Sequence, residues 1–97
     1  MRIVARRTLR EYYEQNPETK ASLQAWYHEV KNEEWSSPAD VKRRYPKAKI
    51  VGKDRIVFRV LGNRFRLVVA VNYAIKAVFI RFIGTHKEYD AISVREV

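Results

Sequence analysis

The chain has 97 residues, 46% of them hydrophobic, no cysteine, and a formal net charge of +9. That is one domain with a packed core rather than a disordered segment, and it excludes disulfides and thiolate metal sites. The longest apolar run, Leu67 to Val71, is far too short to span a membrane, and no apolar signal-peptide core follows the basic N-terminus. A reducing cytoplasm is the expected location.

Arg2 to Arg6 reads as a short strand. Thr8 then has the character of an N-cap, with Leu9, Tyr12 and Tyr13 at helical spacing behind it. Asn16-Pro17 opens the next helix, since Asn caps well and Pro suits the first helical position. In that helix Leu23, Trp26, Tyr27 and Val30 form one apolar stripe. His28 lies beside the stripe as a surface or half-buried residue. Ser37-Pro38 starts a third helix, favoured by Asp40 in its first turn, carrying Val41 and Tyr45 and ending at Pro46.

From Ile50 the pattern alternates. Ile56, Phe58 and Val60 share one face, with Arg55, Val57 and Arg59 on the other. Gly62-Asn63 suits a tight hairpin turn. The next strand sets Phe65, Leu67, Val69 and Val71 against Arg64, Arg66, Val68 and Ala70. After a turn near Ala74-Ile75, a third strand sets Val78, Ile80 and Phe82 against Ala77, Phe79 and Arg81. The predicted fold is α+β: an antiparallel sheet with two to three N-terminal helices packed on one face, and an open basic face on the other.

Charge follows the same division. Residues 1–41 carry six basic and seven acidic side chains, whereas residues 42–97 carry fourteen basic and four acidic. Such a half suits a polyanion, whether RNA, DNA or an acidic protein segment, and its bland reading is a solvated basic face that serves solubility. Arg55, Arg59, Arg64, Arg66 and Arg81 project from the basic face or lie along its rim, and arginine's planar donors match phosphate.

Beyond Gly84 comes Thr85-His86-Lys87-Glu88-Tyr89-Asp90. Thr85 and Glu88 have capping-box spacing, so a helical turn begins there and His86, Tyr89 and Asp90 share one side. Two histidines far apart and no carboxylate cluster on the basic face offer no metal-site pattern, and no cofactor is implied.

The stretch Val57-Phe58-Arg59-Val60-Leu61-Gly62-Asn63-Arg64-Phe65-Arg66-Leu67, followed by Thr85-His86-Lys87-Glu88-Tyr89-Asp90, resembles the HigB-type toxins of bacterial toxin–antitoxin pairs, within the RelE-like ribonuclease superfamily. That pattern is a V-F-N-hydrophobic-x-G-N-x-aromatic-R-L hairpin, an apolar strand, then T-H-x-E-Y-D. The chain departs from it at Arg59, where the family has asparagine. The resemblance implies a single small toxin domain over residues 1–97, acting as a ribosome-dependent mRNA endonuclease. It implies a HigA-like helix-turn-helix antitoxin that binds operator DNA within a hetero-oligomer. The family's hairpin arginine falls on Arg66 and its terminal motif on His86, Tyr89 and Asp90; Asn63 reads as a turn residue.

RNA cleavage without a metal needs a proton acceptor for the 2′-hydroxyl, a donor for the departing 5′-oxygen, and positive charge for the phosphorane. His86 supplies acid–base capacity near neutrality. Arg66, with Arg81 or Arg59 beside it, supplies charge. Tyr89 stacks on a base or donates to the phosphate, and Lys87 contacts backbone phosphate. Asp90 either orients the imidazole or pairs with a basic neighbour. Two further readings stay open: a non-catalytic RNA- or ribosome-binding module using the basic face alone, and a toxin-fold protein that only binds an antitoxin and tunes operator binding.

Overall fold

A computed structural model describes all of residues 1–97. Strand β1 (Arg2–Val4) is followed at once by helix α1 (Arg6–Gln15). The helix starts earlier than Thr8 predicted. Ala5, in extended backbone, occupies the cap position, and the Thr8 N–H bonds to the Ala5 carbonyl inside the first turn. Leu9 is buried, and Tyr12 and Tyr13 pack on the core's edge.

Asn16 separates two helices, but its side chain faces backward. Its Nδ2 donates to the Tyr12 carbonyl at 3.1 Å, closing α1 rather than capping the next helix. A 3₁₀ turn (Pro17–Thr19) opens on the expected proline and leads into α2 (Lys20–Lys31). The predicted stripe holds: Leu23, Trp26 and Val30 are buried and Tyr27 packs beside them. Helix α3 (Pro38–Arg44) begins at Ser37-Pro38, and the Asp40 carboxylate accepts the Ser36 N–H at 2.8 Å.

The rest is sheet: β2 (Lys49–Val51), β3 (Arg55–Val60), β4 (Phe65–Asn72) and β5 (Ala77–Thr85), before a short α4 (His86–Asp90). Neighbours run β1-β5-β4-β3-β2. The predicted meander is antiparallel, but β1 joins its edge in parallel, with Ile3 opposite Val78, so the five-stranded sheet is mixed. A chain that leaves β1 through helices can return to it in parallel, because the helices provide the long connection.

One face carries the core. Ile56 faces Val69, Phe58 faces Leu67 and Val60 faces Phe65 across β3 and β4. Phe58 sits in an aromatic cluster, edge-on to Trp26 and Tyr45 at 5.4 and 5.1 Å and stacked with Trp35 at 6.4 Å between ring centres. Trp35 comes from the loop before α3, where no periodicity marks it.

On β5 the predicted alternation breaks. Val69 pairs with Ile80 but Val68 pairs with Phe82, so Arg81 is the extra residue of a β-bulge. Every side chain beyond it changes face. Phe82, expected among the helix-packed residues, turns to the second face beside Val68. Ile83 takes the core position opposite Leu67, and Gly84 comes to lie opposite Arg66.

The second face is open over a smaller area than alternation suggested. Val57, Val68, Ala70 and Ala77 are buried on it. The chain beyond α4 returns along the β3 side, where Arg55 Nη2 donates to the Val97 carbonyl at 2.8 Å. The basic opening is confined to the end where the β3–β4 hairpin meets α4.

Candidate active site

The predicted capping box forms. The Glu88 N–H donates to Thr85 Oγ1 at 3.1 Å, and the Thr85 N–H donates to Glu88 Oε1 at 2.8 Å. Two orphan amides are thereby satisfied and the strand-to-helix corner is fixed. The next amide, of His86, donates to the Arg64 carbonyl at 3.0 Å. The corner is thus bonded to the β3–β4 hairpin, the other half of the sequence pattern. Gly84 leaves room for the Glu88 carboxylate to close the cap: a Cβ there would lie 2.6 Å from the Phe82 ring and 2.9 Å from Glu88 Oε1.

Left-handed backbone in the hairpin loop falls on Leu61 and Gly62, with φ of 53° and 68°, and not on Asn63. Asn63 does something else. Its side-chain Oδ1 accepts from Arg66 Nη2 at 2.7 Å, and its backbone carbonyl accepts from Nη1 at 3.0 Å. Nη1 also donates to the Phe65 carbonyl at 3.1 Å. A guanidinium has five N–H donors. These bonds use three, leaving Nε–H and one Nη2–H, which together form a planar fork.

Arg66 is 7% exposed, the only charged residue among the buried ones. Burial lowers its pKa from the ordinary arginine value, and the charge of Arg59 acts the same way, while Tyr89 and Asp90 oppose both. Guanidinium remains charged at neutral pH even so. A cation held in partial desolvation acts more strongly on an incoming anion than one in bulk water.

Arg66 lines a cleft of about 180 Å³ with Arg59, His86, Tyr89, Lys47 and Lys49, and with Val57 behind them. The Tyr89 ring lies 5.9 Å from the Arg66 guanidinium carbon and 6.3 Å from the His86 ring, measured to ring centres. Asp90 Oδ2 is 3.2 Å from His86 Nδ1, one helical turn away. The Asp90 carboxylate thus stands beside the imidazole, and its charge also reaches Arg66. Nε2 is then the ring nitrogen left for a substrate.

The other predicted residues spread out. Arg59 is in the cleft. Arg64 is exposed at the hairpin tip, its guanidinium 5.6 Å from the Phe65 ring centre. Lys87 is exposed on α4. Arg55 is tied to Asp54 at 2.9 Å and to Val97 and does not line the cleft. Arg81, displaced by the bulge, lines a different depression beside α1 with Thr8, Glu11 and Tyr12. Lys47 and Lys49 do not stand out in the sequence. The signal is there in the basic run from Lys42 to Arg66, but a three-residue strand with a separate bend before it hides which lysines face inward.

No three His, Cys, Asp or Glu side chains are grouped to hold a metal ion. Four cations, Lys47, Lys49, Arg59 and Arg66, thus stand around one imidazole with a carboxylate at its back. No helix is long and apolar enough to cross a membrane.

The sheet, its helical cover and this basic corner make a small α+β domain with one basic cleft. Residues 19–92 match the family model HigB_toxin, described as the RelE-like toxic component of a toxin–antitoxin system. The chain belongs to the HigB toxin family. It is 30% identical to the mRNA interferase toxin HigB of Escherichia coli K12, over 93% of this chain and 88% of that protein. It is 26% identical to the mRNA interferase HigB of E. coli O6:H1, over 96% and 92%. The mRNA interferase HigB of Shigella flexneri is 30% identical over the same shares as the K12 protein.

Proposed function

We propose that this protein is an mRNA interferase: a ribosome-dependent endoribonuclease that cuts translated mRNA and so stops growth. The single observation that carries this reading is Arg66, held by Asn63 and lining a cleft that His86 also lines.

The chemistry needs no group beyond the side chains present. The RNA's own 2′-hydroxyl attacks the adjacent phosphorus. His86 Nε2 takes the hydroxyl proton, because Asp90 beside Nδ1 favours the tautomer protonated there. The phosphorane's added negative charge rests on the Arg66 fork, with Lys47, Lys49 and Arg59 completing the positive field. The 5′-oxygen leaves with a proton from the imidazolium or from solvent, giving a 2′,3′-cyclic phosphate and a 5′-hydroxyl. Tyr89 packs between the imidazole and the guanidinium and offers its ring edge or hydroxyl to the RNA. Arg64, exposed at the hairpin tip, and Lys87, exposed on α4, bind flanking phosphates.

Ribosome dependence is a consequence of size. A cleft of about 180 Å³, open to solvent, grips one phosphate but cannot hold a flexible strand in line for attack. The ribosome supplies that alignment. The toxin family supports a partner antitoxin, which we take to be a HigA-like helix-turn-helix protein that binds operator DNA, with both acting in the cytoplasm.

Purified protein added to ribosomes programmed with a defined mRNA tests this. The expected result is cleavage on the ribosome, little cleavage of the same RNA when free, and cyclic-phosphate and 5′-hydroxyl ends. Ends bearing 5′-phosphate and 3′-hydroxyl would instead indicate attack by water and remove the assigned chemistry.

A further inference from the structure

Two of the cleft's cations leave from backbone at the margin of the fold. Lys47 sits in the bend between α3 and β2, and Lys49 opens β2, a three-residue strand at the sheet's edge. The bend is a single turn: the Ala48 N–H donates to the Tyr45 carbonyl at 3.0 Å, with Pro46 and Lys47 between them.

Lys42 reaches across this bend from α3. Its Nζ donates to the Pro46 carbonyl and to the Ala48 carbonyl, each at 2.7 Å. An ammonium has three donors and no acceptor, so it can hold two carbonyls at once. The Pro46 carbonyl shares a rigid peptide plane with the Lys47 nitrogen, and the Ala48 carbonyl shares one with the Lys49 nitrogen. Each bond therefore fixes the plane from which one cleft lysine departs. A lysine near a helix end ordinarily meets the last carbonyls of its own helix. Here α3 ends at Arg44, and both acceptors lie beyond it. Lys42 itself does not line the cleft.

We propose that Lys42 is a positioning residue for RNA binding: its ammonium holds the two peptide groups of the bend so that Lys47 and Lys49 meet the RNA phosphates together. This rests on the endonuclease reading and deepens it. Arg66 and His86 stand on β4 and α4, outside the bend. Loss of the clamp therefore loosens the hold on the strand and leaves the reacting groups in place.

The test is a double-mutant cycle on affinity for a short single-stranded RNA of mixed sequence, titrated across salt. Single-turnover cleavage on ribosomes programmed with a defined mRNA is measured alongside. Lys42→Met removes the ammonium and keeps the stem. Lys42→Arg keeps charge and donors. Arg43→Gln removes the same charge one residue away. Each is made in the wild type and in a Lys47→Ala/Lys49→Ala background, below the unfolding transition of every variant.

Lys42→Met is expected to weaken RNA binding about fivefold or more in the wild type, and less than about twofold in the background lacking both lysines. The slope of log affinity against log salt should fall by about 0.7 to 1.4, the value for one to two phosphate contacts. Lys42→Arg should recover most of the loss, and Arg43→Gln should not reproduce it. On ribosomes, Lys42→Met should raise the concentration needed for half-maximal rate while the saturated rate stays within about threefold. Equal losses in both backgrounds would mean that Lys42 touches the RNA itself and would overturn the positioning role. No loss in the wild type, or a loss no larger than that of Arg43→Gln, would overturn it as well. A wild type that binds RNA with the coupling intact but cuts nothing on ribosomes would sink the endonuclease reading and leave the clamp standing. A wild type that binds no RNA would overturn both.

Discussion

Asp90 Oδ2 lies 3.2 Å from His86 Nδ1, across one turn of a five-residue helix capped by Thr85 and Glu88. Both side chains are substantially exposed, at 46% for His86 and 61% for Asp90. Exposed pairs are worth little in stability, about 0–1 kcal/mol. The contact therefore matters for the imidazole's orientation, and its loss should be modest beside loss of the imidazole itself. His86→Ala is expected to lower ribosome-dependent cleavage by about 10²- to 10⁴-fold, the usual range for general acid–base groups. Asp90→Asn should cost about tenfold or less, with the unfolding midpoint unchanged in both. An Asp90→Asn loss as large as that of His86→Ala would give the carboxylate a direct chemical role.

Arg66 should not tolerate lysine. Its Nη1 and Nη2 are occupied by Asn63 and Phe65, and only a planar group can hold those bonds and still present a fork. Arg66→Lys is expected to lose about 10²-fold or more in cleavage rate, close to Arg66→Ala, by analogy with removal of one transition-state donor. Single-turnover rates at saturating RNA separate this from weaker binding.

Lys49 lines the cleft but takes no proton and holds no reacting atom, so its effect should be electrostatic. Lys49→Ala should weaken single-stranded RNA binding and lower the slope of log affinity against log salt by about 0.7, the value for one phosphate contact. A titration across salt concentrations reads it. An unchanged slope would place Lys49 off the RNA path.

The corner between β5 and α4 depends on Thr85. Thr85→Ala removes the acceptor for the Glu88 amide and is expected to destabilise the fold by about 1 kcal/mol in denaturant unfolding. Cleavage should fall further than stability explains, since His86 is the first residue of the helix that this cap positions.

Tyr45 gives a pH signature far from the cleft's chemistry. Burial raises its phenol above the ordinary value of 10.0, and its hydrogen bond to Glu29 adds to the rise. The folded protein thus keeps a proton that the unfolded chain releases above about pH 10. Stability from this group is full below that pH and is lost as pH rises through and beyond it. Tyr45→Phe is expected to be less stable than wild type at pH 7 by about 1 kcal/mol, for the lost hydrogen bond. The gap should narrow above pH 10 in chemical denaturation.

Much of this molecule is legible in the sequence. The stripe of Leu23, Trp26 and Val30, the alternation through β3 and β4, and the Thr85–Glu88 cap depend on periodicities of two or three-to-four residues, which local backbone geometry imposes. Thr8 misleads as a cap because the demands of β1 pairing, and not local propensity, end that strand at Val4. Phe82 falls on the opposite face from its alternation because a bulge is set by what the partner strand presents, and Arg81 carries no mark of it. Trp35 and Tyr45 give no sign of being partners of Phe58, since contacts between a loop, a helix end and a strand have no period.

The sequence by itself determined the fold class, the asymmetry of charge, the two motif blocks and the family they mark. Only the tertiary structure decided which basic residues meet. Arg59, Arg66, Lys47 and Lys49 converge with His86 while Arg55 and Arg81 turn elsewhere, because strand register, one bulge and the returning C-terminal segment direct side chains that composition treats alike. Asn63 shows the same division. Its place in a turn was readable, but its grip on Arg66 required the hairpin to bring an amide oxygen and a guanidinium within 2.7 Å.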